Sequence, residues 1–206
     1  MNSFDARAKD WDTSKKIHRA KMVSEEIESI FRENSYENAL EYGCGTGLVG
    51  LNLQHFFKSI TLMDSSVGMI DELNQKIKNL DALNVKAVHH DLLLAEYPEK
   101  FDCIFSSMVM HHVSDVAQVL SSFYKMLQPE GLICVVDLDK DDGRFHEEET
   151  TFNGYDGFEH EEMNKLLCEA GFEDIQIHTF YHDEKDVVGH AIPYSLFCAS
   201  GIKRTK

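Results

Sequence analysis

The chain is short of positive charge, of proline and of tryptophan, and none of its hydrophobic runs is long. Its 206 residues hold 20 Lys and Arg against 36 Asp and Glu, a formal net charge of −16 with histidine neutral. So acidic a surface repels polyanions, which makes nucleic acid and anionic membranes poor partners. Lys203, Arg204 and Lys206 make only a short basic tail. No stretch approaches the roughly 18 apolar residues of a membrane helix. The N-terminus also lacks the apolar core of a secretion signal, so a cytoplasmic protein without membrane insertion is expected. The five cysteines, Cys44, Cys103, Cys134, Cys168 and Cys198, form no C-x-x-C pair. That argues against a disulfide framework and a zinc-ribbon site. A chain of this length fits one domain with a full core.

What is present begins with Glu41-Tyr42-Gly43-Cys44-Gly45-Thr46-Gly47, which follows the short apolar run 36–40. The stretch reads as a buried strand turning sharply into a helix over 48–57, with glycines where backbone bends tightly or a ligand approaches. Such a turn offers backbone N–H groups and the positive end of a helix. A dinucleotide site wants G-x-G-x-x-G. Here the third glycine, Gly47, comes one place early, although Gly50 allows the longer spacing. An acid two places before the first glycine suits a ligand carrying positive charge and opposes a pyrophosphate. A plain glycine turn with a capping carboxylate is the alternative.

The pattern E-x-G-C-G-T-G resembles the glycine-rich motif of class I S-adenosylmethionine (AdoMet)-dependent methyltransferases. The likeness extends along nearly the whole chain and is nearest the small-molecule branch that includes ubiquinone and menaquinone biosynthesis enzymes. It implies an α/β fold: a doubly wound, mainly parallel seven-stranded sheet with one antiparallel strand and an N-terminal helical cap. It also implies a single domain over 1–206, with a leader and cap helix (1–35), an AdoMet-binding half (36–137) and a substrate-side half (138–206). Glu41 and neighbouring backbone would hold the cationic aminoacyl end of AdoMet, while Gly43, Cys44, Gly45 and Gly47 make room for its sulfonium. Asp64, with Ser65 and Met69 after it, falls where nucleotide-binding folds grip ribose hydroxyls. Asp91 and Leu92 match the adenine contact, Ser106 follows the fourth strand, and Trp11 belongs to a leader that folds over the cofactor.

Periodicity supplies the rest. Apolar residues recur at helical spacing over 14–32, 67–79, 115–127 and 159–170. Short apolar runs at 60–63, 85–90, 101–105, 132–136, 175–180 and 194–200 read as strands. Alternation of strand and helix implies βαβ units and a parallel sheet. Right-handed crossovers then gather the strand ends, with Glu41, Asp64, Asp91, Ser106 and Asp137, on one edge.

Methyl transfer from a sulfonium asks the protein to align the acceptor and exclude water. His111, after the fourth strand, is the candidate base, since histidine titrates near neutrality. Two polar segments, 139–158 and 181–193, are expected as loops over a small-molecule methyl acceptor, with Tyr155, Phe158, His146 and Tyr181 in its walls. A metal alternative comes from Asp137, Asp139, Asp141, Asp142, His146, Glu147, Glu148, Glu149 and His160, an oxygen-rich cluster of the kind that suits hard divalent ions, but it has no fixed ligand spacing, so no metal is assigned. Two alternatives stay open: an NAD-type oxidoreductase and a non-catalytic AdoMet-binding protein.

Overall fold

Seven apolar runs become the strands of a single sheet. The structure is a computed structural model that describes residues 3–32, 36–148 and 152–205. The strands are β1 (Asn38–Tyr42), β2 (Ser59–Asp64), β3 (Val85–His89), β4 (Phe101–Ser107), β5 (Leu127–Leu138), β6 (Glu173–Val187) and β7 (His190–Ile202). They lie in the order β3-β2-β1-β4-β5-β7-β6. The pairings among β1 to β5 are parallel, and β7 runs antiparallel between β5 and β6. Strand order reverses at β1, whose neighbours are β2 on one side and β4 on the other. A crevice opens beyond the carboxyl ends of strands at such a point.

Helices cover both faces: α1 (Ser3–Arg7), α2 (Ser14–Phe31), α3 (Gly50–Leu53), α4 (Val67–Leu80), α5 (Val116–Met126) and α6 (His160–Ala170). Alternation along β1 sends Ala39 into the apolar cluster of α2, α3 and α4, and Leu40 and Tyr42 into that of α5 and α6. Caps fix where helices start: Thr13, Ser66 and Asp115 each accept from a backbone N–H three residues on. No helix among the described residues is long and apolar enough to cross a membrane.

Three stretches depart from the sequence reading. The helix expected over 48–57 is only one turn of α3 followed by a 3-10 turn at Gln54–Phe56. The chain spends residues 45–49 completing the glycine turn first. Pro129-Glu130-Gly131, a turn by its sequence, instead lies within β5, as an irregularity where Glu130 takes φ +61° and the register with β4 shifts. The segment 181–193 is no loop. β6 continues to Val187 and reverses through Val188 and Gly189, both at positive φ, into β7. Paired positive φ matches the twist of a two-residue hairpin. Dense charge hid an alternation that buries Tyr181, Val187 and Ile192.

The entry to β1 depends on one carboxylate. Asp102 Oδ2 accepts the N–H groups of Glu37 and Asn38 at 2.9 and 2.8 Å, tying β1 to β4. Hydrogen bonds to charged groups contribute about 1.5–3 kcal/mol. Asp102→Ala is therefore expected to lower unfolding free energy by about 2–3 kcal/mol in urea titration, and Asp102→Asn by less.

Candidate active site

The site grows out of the turn after β1. Gly43, Gly45 and Gly47 take φ of +71°, +54° and +81°. Gly45 and Gly47 use glycine for different reasons. A Cβ on Gly47 would lie 2.6 Å from Leu73 Cδ1, so that residue serves close packing. A Cβ on Gly45 would meet nothing nearer than Trp11 Nε1 at 3.6 Å. Gly45 turns bare backbone to open space.

That space is a cavity of about 740 Å³, within the range of roughly 300–1,000 Å³ for small-molecule pockets. Tyr42, Gly43 and Gly45 line it from the β1 turn, Asp64 and Ser65 from the end of β2, and Asp91 from the turn after β3. Asp64 Oδ2 accepts the Gly45 N–H at 2.7 Å and Oδ1 the Ser66 N–H at 2.8 Å. Burial raises its proton affinity against these bonds. Each oxygen keeps acceptor capacity for a ligand hydroxyl.

The leader closes over this floor. Asp5 Oδ1 accepts from Ser66 Oγ at 2.6 Å and from the Gly68 N–H at 3.1 Å, at the start of α4. Asp12 accepts from Thr46 Oγ1 and pairs with Lys76, both at 2.5 Å. Trp11 is thereby held beside Gly45, with Lys16 Nζ 3.3 Å above its ring and Phe4 edge-on at 5.8 Å.

The other wall follows β4. Met108 takes φ +58°, rare outside glycine, and leads into a 3-10 turn at Met110–His112. Asp137, fully buried at the end of β5, holds that turn. Its Oδ2 accepts the Met110 N–H at 2.7 Å and the Val109 N–H at 3.2 Å. Its Oδ1 accepts the Leu138 N–H at 2.7 Å and lies 2.5 Å from His111 Nδ1. Facing a carboxylate, Nδ1 carries a proton and donates it to Asp137. Burial alone would raise the Asp137 pKa, but the attraction of His111 and these bonds outweigh it and hold the carboxyl below its ordinary range. His112 and His146 flank His111 at ring distances of 4.1 and 5.0 Å. Burial first, and then the neighbouring charges, bring both down to about 3, so both are neutral at physiological pH.

Of the residues singled out in sequence, the cavity brings together Trp11, Gly43, Gly45, Asp64, Ser65, Met69, Asp91, His111 and His146. Cys44 and Leu92 are buried in the core, and Leu93 lines the cavity in place of Leu92. Ser106 is buried and donates to the Tyr42 carbonyl at 3.0 Å. Phe158 is wholly buried, stacked on Tyr155 and packed against Phe197. A bridge from Asp139 to Phe158 draws that segment onto the sheet edge. Tyr181, within β6, donates to Asp183 at 2.8 Å. Phe145 and Tyr194 supply aromatic wall instead. The acidic run is used locally: Asp139 binds His160 and Thr179, Asp141 accepts the Gly143 N–H, and Asp142 pairs with Arg144. Glu149 lies outside the described residues. Sequence reasoning did not find the hold of Asp137 on His111. The signal available was an acid closing the fifth strand.

Comparison with known proteins agrees with this geometry. The family profile described as "Methyltransferase domain" matches residues 15–177, so the chain belongs to the methyltransferase domain family. An uncharacterized methyltransferase of Schizosaccharomyces pombe, C1347.09, is 31% identical over 124 residues, covering 56% of this chain and 44% of that protein. The chain spans half or less of the length of the curated relatives it matches. Among solved structures, a chain from the complex between the Haloferax volcanii Trm112 methyltransferase activator and a methyltransferase superposes with TM-score 0.77 at 14% identity. It covers 100% of this chain and 99% of that one. Haemonchus contortus phosphoethanolamine N-methyltransferase 2, solved with S-adenosyl-L-methionine, gives TM-score 0.66 at 15% identity over 84% of this chain and 50% of that one. The fold is that of the class I AdoMet-dependent methyltransferases.

Glu41 does not line the cavity. Its side chain lies on the opposite face of β1 from Tyr42, against Gly50 at the start of α3, and its Oε2 has no hydrogen-bond partner. Burial drives its pKa up to about 8, with the Gly50 N–H opposing and Asp64 adding to the rise. The sign follows. Between its unfolded value of about 4.5 and about 8, the unfolded chain ionises while the folded carboxyl stays protonated. Stability therefore falls as pH rises through that window, by at most about 1.4 kcal/mol per pH unit. Glu41→Gln, which cannot ionise, should show a flatter stability profile between pH 5 and 8 in urea unfolding. Parallel profiles would count against a protonated Glu41.

Proposed function

We propose that the chain binds AdoMet in this cavity and transfers its methyl group to a small organic acceptor. The observation that carries the reading is the bare backbone of Gly45, set beside the Asp64 carboxylate and under Trp11. The residues fit the cofactor: Asp64 offers acceptors for vicinal hydroxyls, Asp91 one for an amino group, and Met69 and Trp11 apolar walls. AdoMet supplies a methyl carbon already activated by its sulfonium. The chain's own part is to bind, to orient and to exclude water. On this reading residues 36–137 hold the cofactor, while the leader and residues 138–206 shape the acceptor side.

His111 faces that acceptor side. With Nδ1 committed to Asp137, its Nε2 is the atom turned to an acceptor, in the manner of a base oriented by a carboxylate. Phe145, Tyr194 and His146 give the wall an aromatic body with few polar groups, as small-molecule sites have. The net charge of −16 argues for a small acceptor over a nucleic acid.

Calorimetry is expected to show binding of AdoMet and none of NAD, and labelled AdoMet should pass its methyl to a component of a metabolite extract. Binding of NAD instead would overturn the reading, and AdoMet binding without transfer to any acceptor would make the chain a binding protein only. Gly45→Val tests the cradle. The φ of +54° costs about 1–2 kcal/mol for a side chain, so the variant should fold. Its branched carbons occupy the space beside Trp11, and the Kd for AdoMet should rise at least about a hundredfold, roughly 2.7 kcal/mol. Unchanged affinity in the folded variant would place the cofactor elsewhere.

A further inference from the structure

Three imidazoles meet on the acceptor side of the cavity. His111, His112 and His146 each present a ring nitrogen, and the three atoms lie within 4.8 Å of one another. His111 and His146 are 1% and 5% exposed, so two of the three rings are withdrawn from bulk water. The Nδ1 of His146 is buried without any hydrogen-bond partner. Buried polar atoms are ordinarily satisfied, so an orphaned ring nitrogen needs an explanation. The ring that carries it is one of the three in this cluster.

Its surroundings resemble those of a metal centre. Asp137 holds the Nδ1 of His111, the carboxylate–histidine arrangement that fixes the tautomer and orientation of a ligating ring. Phe152 lies flat against His146, with centroids 3.8 Å apart and planes 9° apart, and Phe4 meets His112 edge-on at 5.2 Å. The nearby cation Lys185 is turned onto the Phe145 carbonyl at 2.5 Å. An apolar sheath around converging nitrogens controls solvent access and local dielectric.

We propose that His111, His112 and His146 bind one divalent transition-metal ion. Three neutral nitrogen ligands and no carboxylate select zinc or a similar ion over magnesium or calcium. Bonds of about 2.0–2.1 Å in a tetrahedron require ligand atoms about 3.4 Å apart, so atoms that lie within 4.8 Å of one another need to close in by at most about 1.4 Å on binding. The fourth position faces the cavity, where it holds an oxygen or nitrogen of the acceptor in line with the methyl group. Ion binding itself is independent of methyl transfer. Only the role toward the acceptor rests on the function proposed above, and His111 then acts through the ion instead of as a free base. The site shares only His146 with the acidic group considered in the sequence, in which Asp137, Asp139, Asp142 and Glu148 have local partners.

The test uses the full chain, stripped with a chelator and titrated with Co²⁺ and then Zn²⁺. Saturation at one ion per chain is expected, with the intense visible absorption of tetrahedral cobalt, bleached when zinc displaces it. His112→Gln and His146→Gln keep a polar side chain of similar size, and each should weaken Co²⁺ binding at least about tenfold while circular dichroism stays native. His178→Gln, at an exposed pair with Glu26, controls for surface histidines and should change nothing. No stoichiometric binding by the wild type, or equal binding by wild type and both cavity variants, would overturn the site. AdoMet calorimetry on the stripped wild type separates the two proposals: binding of AdoMet with no ion site removes the metal and leaves the methyltransferase reading standing.

Discussion

The wall of the cavity that follows β4 depends on the buried carboxylate of Asp137. A lone charge in that position would be costly to desolvate. Here four backbone N–H groups and one imidazole satisfy it. The same bonds hold the turn after β4 in a path that includes a left-handed methionine. Strain at Met108, the orientation of His111 and the position of the neighbouring histidines thus have one common restraint. Removing it would leave several donors unpaired inside the sheet edge.

The opposite side relies on backbone shape in place of a buried charge. Gly45 leaves bare backbone facing the cavity, whereas Gly47 is bare because Leu73 packs against it. Asp64 ties the glycine turn to the end of β2, and the leader ties both to α4 through Asp5 and Asp12. Asp64 therefore both lines the cavity and holds the fold. On the proposed reading a substitution at Asp64 would act on ligand and loop together, whereas one at Gly45 would separate the two.

Much of this was legible in the sequence. The glycine spacing, the acids at 64 and 91 and the alternation of strand and helix led to a mainly parallel sheet with the strand ends gathered on one edge. What stayed hidden depended on which face of a strand a residue takes. Glu41 and Tyr42 are neighbours, yet only Tyr42 reaches the cavity. Leu92 and Leu93 differ in the same way. Phe158 reads as a pocket aromatic in a polar segment, but its bridge to Asp139 pulls it into the core. The hairpin of β6 and β7 was masked because charge density obscures alternation. Contacts that join distant segments, such as that between Asp137 and His111, leave no periodic trace.

The hairpin also bears on how the chain assembles. Most pairings in the sheet join strands separated by a helix and its loops, and β1 meets β4 across a sequence distance of 64 residues at Asn38 and Asp102. Such closures are slow because chain entropy is lost before contacts compensate. β6 and β7 need only a two-residue reversal, a step of roughly 1–10 μs in isolated hairpins. The C-terminal pair can therefore exist early as a preformed ribbon, and its β7 edge is the surface on which β5, the last of the parallel strands, completes its pairing.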